Sequence, residues 1–164
     1  MIVIVVWLLL ILAILILQAT IIPLLDIQGV RPDILLILVV SCGLLSGKEY
    51  GVGIGFFSGL LQDLASGNIF GLNILSKMAT GYLFGMAERK VFKENILLPV
   101  LGVFAATIVN NLLMILLLFI LRLKVDITNV LFRNMLLAAG YNLVLAIPVH
   151  RLVFRVSRFL ARRD

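Results

Sequence analysis

The chain has 164 residues, 63% of them hydrophobic and 13% charged, with a mean hydropathy of +1.22. No water-soluble fold of this size can enclose that much apolar side chain. These figures point to a lipid bilayer, with room for five or six spans of about 20 residues and no soluble catalytic domain. The net charge of +6 gathers at the carboxyl end, which points to an anionic membrane leaflet and away from nucleic acid.

The first predicted span runs from about Ile2 to Ile22 and stops near Pro23. No basic segment precedes it and no small-residue cleavage site follows, so it reads as a retained span rather than a signal peptide. A polar hairpin from Asp26 to Asp33 comes next, with Gly29 and Pro32 marking turns. Asp33 is placed to cap the second span, because a carboxylate can take a free amide at a helix start. That span, Ile34–Ser46, contains the single cysteine, Cys42, which excludes an internal disulfide. Gly47–Tyr50 reads as a tight charged connection and Gly51–Leu64 as the third span. The turn Ala65–Phe70 leads to a fourth span over Gly71–Ala87. A basic loop, Glu88–Glu94, precedes the fifth, Ile96–Leu121. After Arg122, Lys124 and Asp126, the sixth covers about Val130 to Val149.

The expected architecture is therefore all-α, a polytopic six-helix membrane bundle over residues 1–150, with a basic amphipathic cytoplasmic tail over 151–164. Spans two and three have only about 13–14 core residues, roughly 20 Å of helix against ~30 Å of hydrocarbon. Either they extend through their charged flanks or they are shielded inside the bundle; shielding is the expectation. With the amino terminus inside, Lys48, Arg89, Lys90, Lys93, Arg151, Arg155, Arg158, Arg162 and Arg163 lie in the cytoplasm, nine Lys/Arg in all. Arg31, Arg122, Lys124 and Arg133 lie outside, and nine against four fits the positive-inside rule.

Gly51, Gly55, Gly59 and Asp63 fall four apart in the third span. Glycine in a helix interior costs about 1 kcal/mol against alanine, and in lipid the usual reason to keep it is close helix–helix contact. Lys77, Gly81 and Gly85 repeat that spacing in the fourth span, so two glycine ridges packed together could bring Lys77 to Asp63. Structural capping or pairing, a partner contact and a ligand site all remain open for Asp63. Asn110 and Asn111 share a ridge with Gly102 and Ala106, and Asn134, Ala138, Asn142 and Ala146 form a second one. Their amides are expected to bond across helices, typically for about 0.6 kcal/mol each.

Arg151, Arg155, Arg158 and Arg162 step by four, three and four, beside an apolar stripe of Leu152, Val156 and Phe159. This suits a membrane surface, or alternatively an acidic partner. No catalytic residue, metal site or cofactor is expected: the chain has one histidine, His150, and no metal-binding or nucleotide-binding motif. The segment Gly55–Gly59 is faintly similar to intramembrane serine proteases, but Ser58 has no histidine placed mid-bundle to activate it.

The opening Arg31-Pro32-Asp33 of the second span, followed by Gly55, Phe56, Gly59, Leu60, Asp63, Gly67 and Gly71 in order, resembles the rod shape-determining protein MreD family. The resemblance covers most of the chain. It implies a non-enzymatic component of the bacterial elongation machinery in the inner membrane, supporting lateral peptidoglycan synthesis. MreC is the implied direct partner, with RodA, a class B penicillin-binding protein and MreB filaments reached indirectly. MreD proteins are also similar in architecture to the substrate-binding S-components of energy-coupling-factor vitamin transporters, which supplies a rival reading. S-components commonly dock through an alanine-x-x-x-alanine surface on the first helix; here Ala13 and Ala19 stand six apart. The expected partner-binding or structural residues are Arg31, Asp33, Gly55, Gly59, Asp63 and Lys77.

Overall fold

A computed structural model describes residues 2–26, 29–67, 69–87, 97–122 and 129–160. Among the described residues the chain is helical, with α1 Ile2–Thr20, α2 Ile34–Ser46, α3 Lys48–Ser66, α4 Leu72–Gly85, α5 Leu97–Ile120 and α6 Asn129–Leu160. The basic loop with Arg89, Lys90 and Lys93, the connection carrying Lys124 and Asp126, and the terminal Arg162 and Arg163 lie outside the described residues.

The middle of the bundle is α2. Every side chain from Ile34 to Leu44 is buried, and the helix touches α1, α3, α4, α5 and α6. One of its faces, with Leu35, Leu38, Val39 and Cys42, packs against Trp7, Ile11 and Ile14 of α1, Ile54 of α3, and Val153 and Leu160 of α6. Its other face, with Leu36, Ile37, Val40 and Leu44, packs against Val100, Val103 and Ala106 of α5 and Ala146 of α6. A helix that is apolar all round belongs in such a position. The expected shielding therefore holds for α2.

For α3 the other alternative holds. It is 19 residues long because Lys48, Glu49 and Tyr50 form its first turn; the link to α2 is Gly47 alone. Gly47 sits at φ +94°, a conformation costly for any residue with a Cβ, and its N–H closes α2 on the Gly43 carbonyl at 2.9 Å. This one-residue link turns the chain back sharply, and the Lys48 ammonium lies 5.8 Å from the Tyr82 ring centre on α4.

The most extensive helix contact is α3 on α4. A Cβ added at Gly51 would run into the Gly81 carbonyl, and one at Gly81 into the Gly51 carbonyl. One at Gly55 would lie 2.7 Å from the Lys77 carbonyl oxygen, and one at Gly59 2.5 Å from the Ile74 Cα. The two backbones are in contact along the whole seam, as the matched glycine spacing requires.

Among the described residues three helices are long and apolar enough, by length and composition, to cross a membrane: α1 over Val3–Thr20, α5 over Pro99–Ile120 and α6 over Arg133–Leu160. Their outward faces carry Ile4, Leu9, Ile16, Leu101, Leu112, Leu116 and Val144, the surface expected against acyl chains. The helix α6 runs without interruption through Pro148 and past the expected boundary at residue 150. The apolar residues of its carboxyl part divide. Val153 and Leu160 are buried, while Leu152 and Phe159 are exposed, because the contact with α1 and α2 selects the neighbouring face. Arg151, Arg155 and Arg158 are exposed.

The seam makes a direct prediction. Gly81→Ala must push α3 from α4 and should lower stability by about 1–3 kcal/mol or more. Gly53→Ala, on α3, has nothing within 4 Å of the new carbon and should be neutral or stabilising by up to about 1 kcal/mol. Thermal unfolding of the two variants in detergent separates these outcomes.

Candidate functional site

Two carboxylates organise the polar interior, both at the end of the bundle that carries the Asp26–Asp33 hairpin. Asp33 caps α2: its Oδ1 accepts from the Leu36 N–H at 2.9 Å, as the sequence suggests. Its Oδ2 accepts from the Lys77 ammonium of α4 at 2.5 Å. Its backbone N–H donates to the Asn142 Oδ1 of α6 at 2.9 Å, and the adjoining Leu35 N–H donates to the Gln18 Oε1 of α1 at 3.2 Å. A single helix start thus draws α1, α4 and α6 together, and the otherwise orphaned amides of Asp33, Leu35 and Leu36 are satisfied.

Lys77 is fully buried, and Asp33 is its counter-ion. This corrects the expected pairing of Lys77 with Asp63. The Lys77 backbone does lie on the glycine seam, but its side chain crosses to α2.

Asp63, 2% exposed, is taken up by amides instead. Its Oδ2 accepts from the Gly71 N–H at 2.9 Å and the Ile74 N–H at 3.3 Å; its Oδ1 accepts from the Asn73 N–H at 3.2 Å and Nδ2 at 2.8 Å. The residue before α4 is Gly71, at φ +100° and without a side chain to cap with, so the last turn of α3 supplies the cap. Gly55, Gly59 and Asp63 all face α4.

The asparagines divide. Asn142 bonds across helices at both ends, accepting from Asp33 and donating to the Thr107 hydroxyl of α5 at 3.0 Å. Asn110 meets the Thr80 hydroxyl of α4 at 3.4 Å. Asn111 bonds within its own helix, from Nδ2 to the Thr107 carbonyl at 2.9 Å, and so does not bridge. Asn134, half-buried, makes no cross-helix bond among the described residues. Gln18, Gln62, Thr80 and Thr107 were not singled out from the sequence. Gln18 carried a signal, as the first polar side chain after sixteen residues of apolar helix.

Between these groups lies a cavity of about 520 Å³, lined from all six helices, with Leu36, Thr107, Asn110 and Asn142 deep inside and Arg31 at the rim. Arg31 is exposed and bound through Nε to the Asp26 Oδ2 at 2.8 Å. Among the described residues no three His, Cys, Asp or Glu side chains come together as metal ligands. Ser58 is buried with its hydroxyl unpartnered there, as is Nδ1 of His150.

The chain belongs to the rod shape-determining protein MreD family, whose family model matches residues 1–156. The family is one of shape-determining proteins, and the long apolar helices mark this member as a membrane protein. No curated protein and no solved structure matches the chain.

Two predictions follow from the carboxylates. Asp33→Ala leaves a fully buried ammonium without a counter-ion and should cost about 3–5 kcal/mol. Lys77→Met leaves a half-exposed carboxylate that still caps α2 and should cost less; unfolding of both singles and the double variant in detergent measures the coupling. In the hairpin, the hydrogen bond from Arg31 holds the Asp26 carboxyl below its ordinary value of 3.8. A depressed acid stabilises the folded form above its unfolded pKa and loses that contribution as pH falls through the lower, folded one. Protection of the Gly29 amide, which donates to Asp26 Oδ1 at 2.7 Å, should therefore be complete above pH 3.8 and be lost only as the pH falls through the lower, folded value. In Asp26→Asn the acid-dependent step should disappear from hydrogen exchange.

Proposed function

We propose that this chain is a non-enzymatic scaffold of the rod complex that supports lateral peptidoglycan synthesis in the bacterial cytoplasmic membrane, and that it acts by receiving a transmembrane helix of MreC. The observation that carries this reading is a groove between α1 and α3 of about 500 Å³, walled by Val3, Trp7 and Ile11 on one side and Gly53, Ile54 and Phe57 on the other. The ridge of Gly51, Gly55 and Gly59 is occupied by α4, whereas the position of a Cβ on Gly53 has nothing within 4 Å. Small residues flanked by apolar walls are what a second helix needs for close approach in lipid. MreC is the partner that membership in the family suggests; RodA, the penicillin-binding protein and MreB filaments would be reached through it.

In this reading the six helices are six spans with both termini cytoplasmic. The hairpin with Arg31 and Asp33 then faces outward, and Glu49 and Tyr50 stand at the cytoplasmic mouth of the groove. The exposed Arg151, Arg155 and Arg158 would rest on the anionic inner leaflet, each contributing about 1 kcal/mol of attraction.

Affinity purification from native membranes tests the proposal. MreC should co-purify, and Gly53→Leu should lower its recovery about tenfold with the melting temperature unchanged. Gly59→Leu should instead reduce the folded protein itself, since its new side chain meets the α4 backbone. Recovery of a vitamin and a transporter coupling subunit, without cell-wall proteins, would overturn the assignment.

A further inference from the structure

The geometry points to a ligand site: the cavity under the Asp26–Asp33 hairpin binds an uncharged, polyhydroxylated group of sugar size. The inference stands apart from the scaffold reading, which concerns the apolar groove between α1 and α3 toward the other end of those helices. The cavity of about 520 Å³ lies within the roughly 300–1,000 Å³ typical of small-molecule sites. Five helices each present a primary amide to it: Gln18, Gln62, Asn73, Asn110 with Asn111, and Asn142.

Those amides are not spent on one another. Asn142 is used at both ends, by Asp33 and Thr107. Gln18 accepts from Leu35 and keeps its amino group free among the described residues. Asn73 gives its amino group to Asp63, and Asn111 gives its own to the Thr107 carbonyl; each keeps a free carbonyl. The Gln62 Oε1 is buried with no partner. Among the described residues the amino groups of Gln18, Gln62 and Asn110 are thus as free as the carbonyls of Gln62, Asn73 and Asn111, and a buried acceptor without a partner is uncommon enough to need a reason. The ligand that satisfies such a lining both donates and accepts hydrogen bonds.

Charge narrows the class. Both oxygens of Asp33 are engaged, by Leu36 and Lys77, so no free carboxylate attracts a cation, and Arg31 at the rim is paired with Asp26. The Lys77 ammonium is neutralised by Asp33, so no free cation waits inside for an anion. What remains is a neutral group rich in hydroxyls, each of which can both donate and accept. Leu15, Leu36 and Met114 supply apolar wall for its C–H face. The hydroxylated group could be free or carried as a lipid headgroup, because both offer the same atoms.

The test uses the full chain in phosphatidylcholine nanodiscs. Glucose, maltose and myo-inositol serve as free probes under isothermal titration, and monoglucosyl diacylglycerol, doped into the discs, as the lipid-borne one, read by native mass spectrometry. Two variants report on the lining: Asn111→Ala, whose side chain bonds only within its own helix, and Gln62→Leu, which removes the unpartnered acceptor. The expected result is saturable binding of at least one probe, weakened about five- to tenfold in each variant. Melting temperature should be unchanged in the first variant and unchanged or raised in the second. Binding of a free sugar assigns a soluble ligand; binding of the glucolipid alone assigns a headgroup; either supports the site. No saturable binding of any of the four probes, binding in both variants as tight as in the unsubstituted chain, or preference for phosphatidylglycerol over the glucolipid overturns it. Co-purification of MreC in the same variants reports separately on the scaffold.

Discussion

Where α3 crosses α4, the Gly51 and Gly81 carbonyls each occupy the place in which the other residue's side chain would begin. That contact sets the distance between two helices to the minimum a polypeptide allows. Other features depend on it. With α4 held there, its first turn comes within reach of Asp63 at the end of α3, and Lys77 is positioned to cross to the start of α2. In lipid, where helices gain little from burying apolar surface against one another, such fit and a few polar bonds carry the specificity of packing.

The polar bonds are concentrated rather than scattered. Asp33 joins α2 to α4 and α6, Gln18 adds α1, and Thr107 brings in α5 through Asn142. Asp33, Gln18 and Asn142 each satisfy a helix terminus or a buried charge, the two expenses a bilayer does not forgive. At the opposite end of the bundle the chain relies on apolar packing of Trp7, Val153 and Leu160, with the half-buried Ser46 and Ser157 hydroxyls 3.5 Å apart. One end is stitched and carries a cavity; the other is greased.

Much of this was legible in the residues. The limits of α2 follow from Asp33 as a cap and Gly47 as a stop, both local signals. The glycine seam follows from a spacing of four repeated in two neighbouring helices. The start of α3 was less legible, because Lys48 and Glu49 look like a loop to any scheme that treats charge as the mark of a connection, yet a helix tolerates them in its first turn. The partner of Lys77 was out of reach for a different reason. Spacing places its backbone on the seam but does not say where a long, flexible side chain ends. Asp33 is 44 residues away and Asp63 only 14, and nothing local separates them. Asn142 and Asp33 lie 109 residues apart, a separation at which only the fold decides.

The 32 residues of α6 extend about 48 Å at 1.5 Å per residue, well beyond the ~30 Å of hydrocarbon. Pro148 removes one hydrogen bond within it, so bending concentrates at that point while rotation about the axis is still transmitted. At one end of this rod are Arg151, Arg155 and Arg158; toward the other is Asn142, gripping the amide of Asp33. One unbroken helix therefore carries both the exposed arginines and the asparagine that holds the cap of α2 and lines the cavity, so neither end can be repositioned without the other.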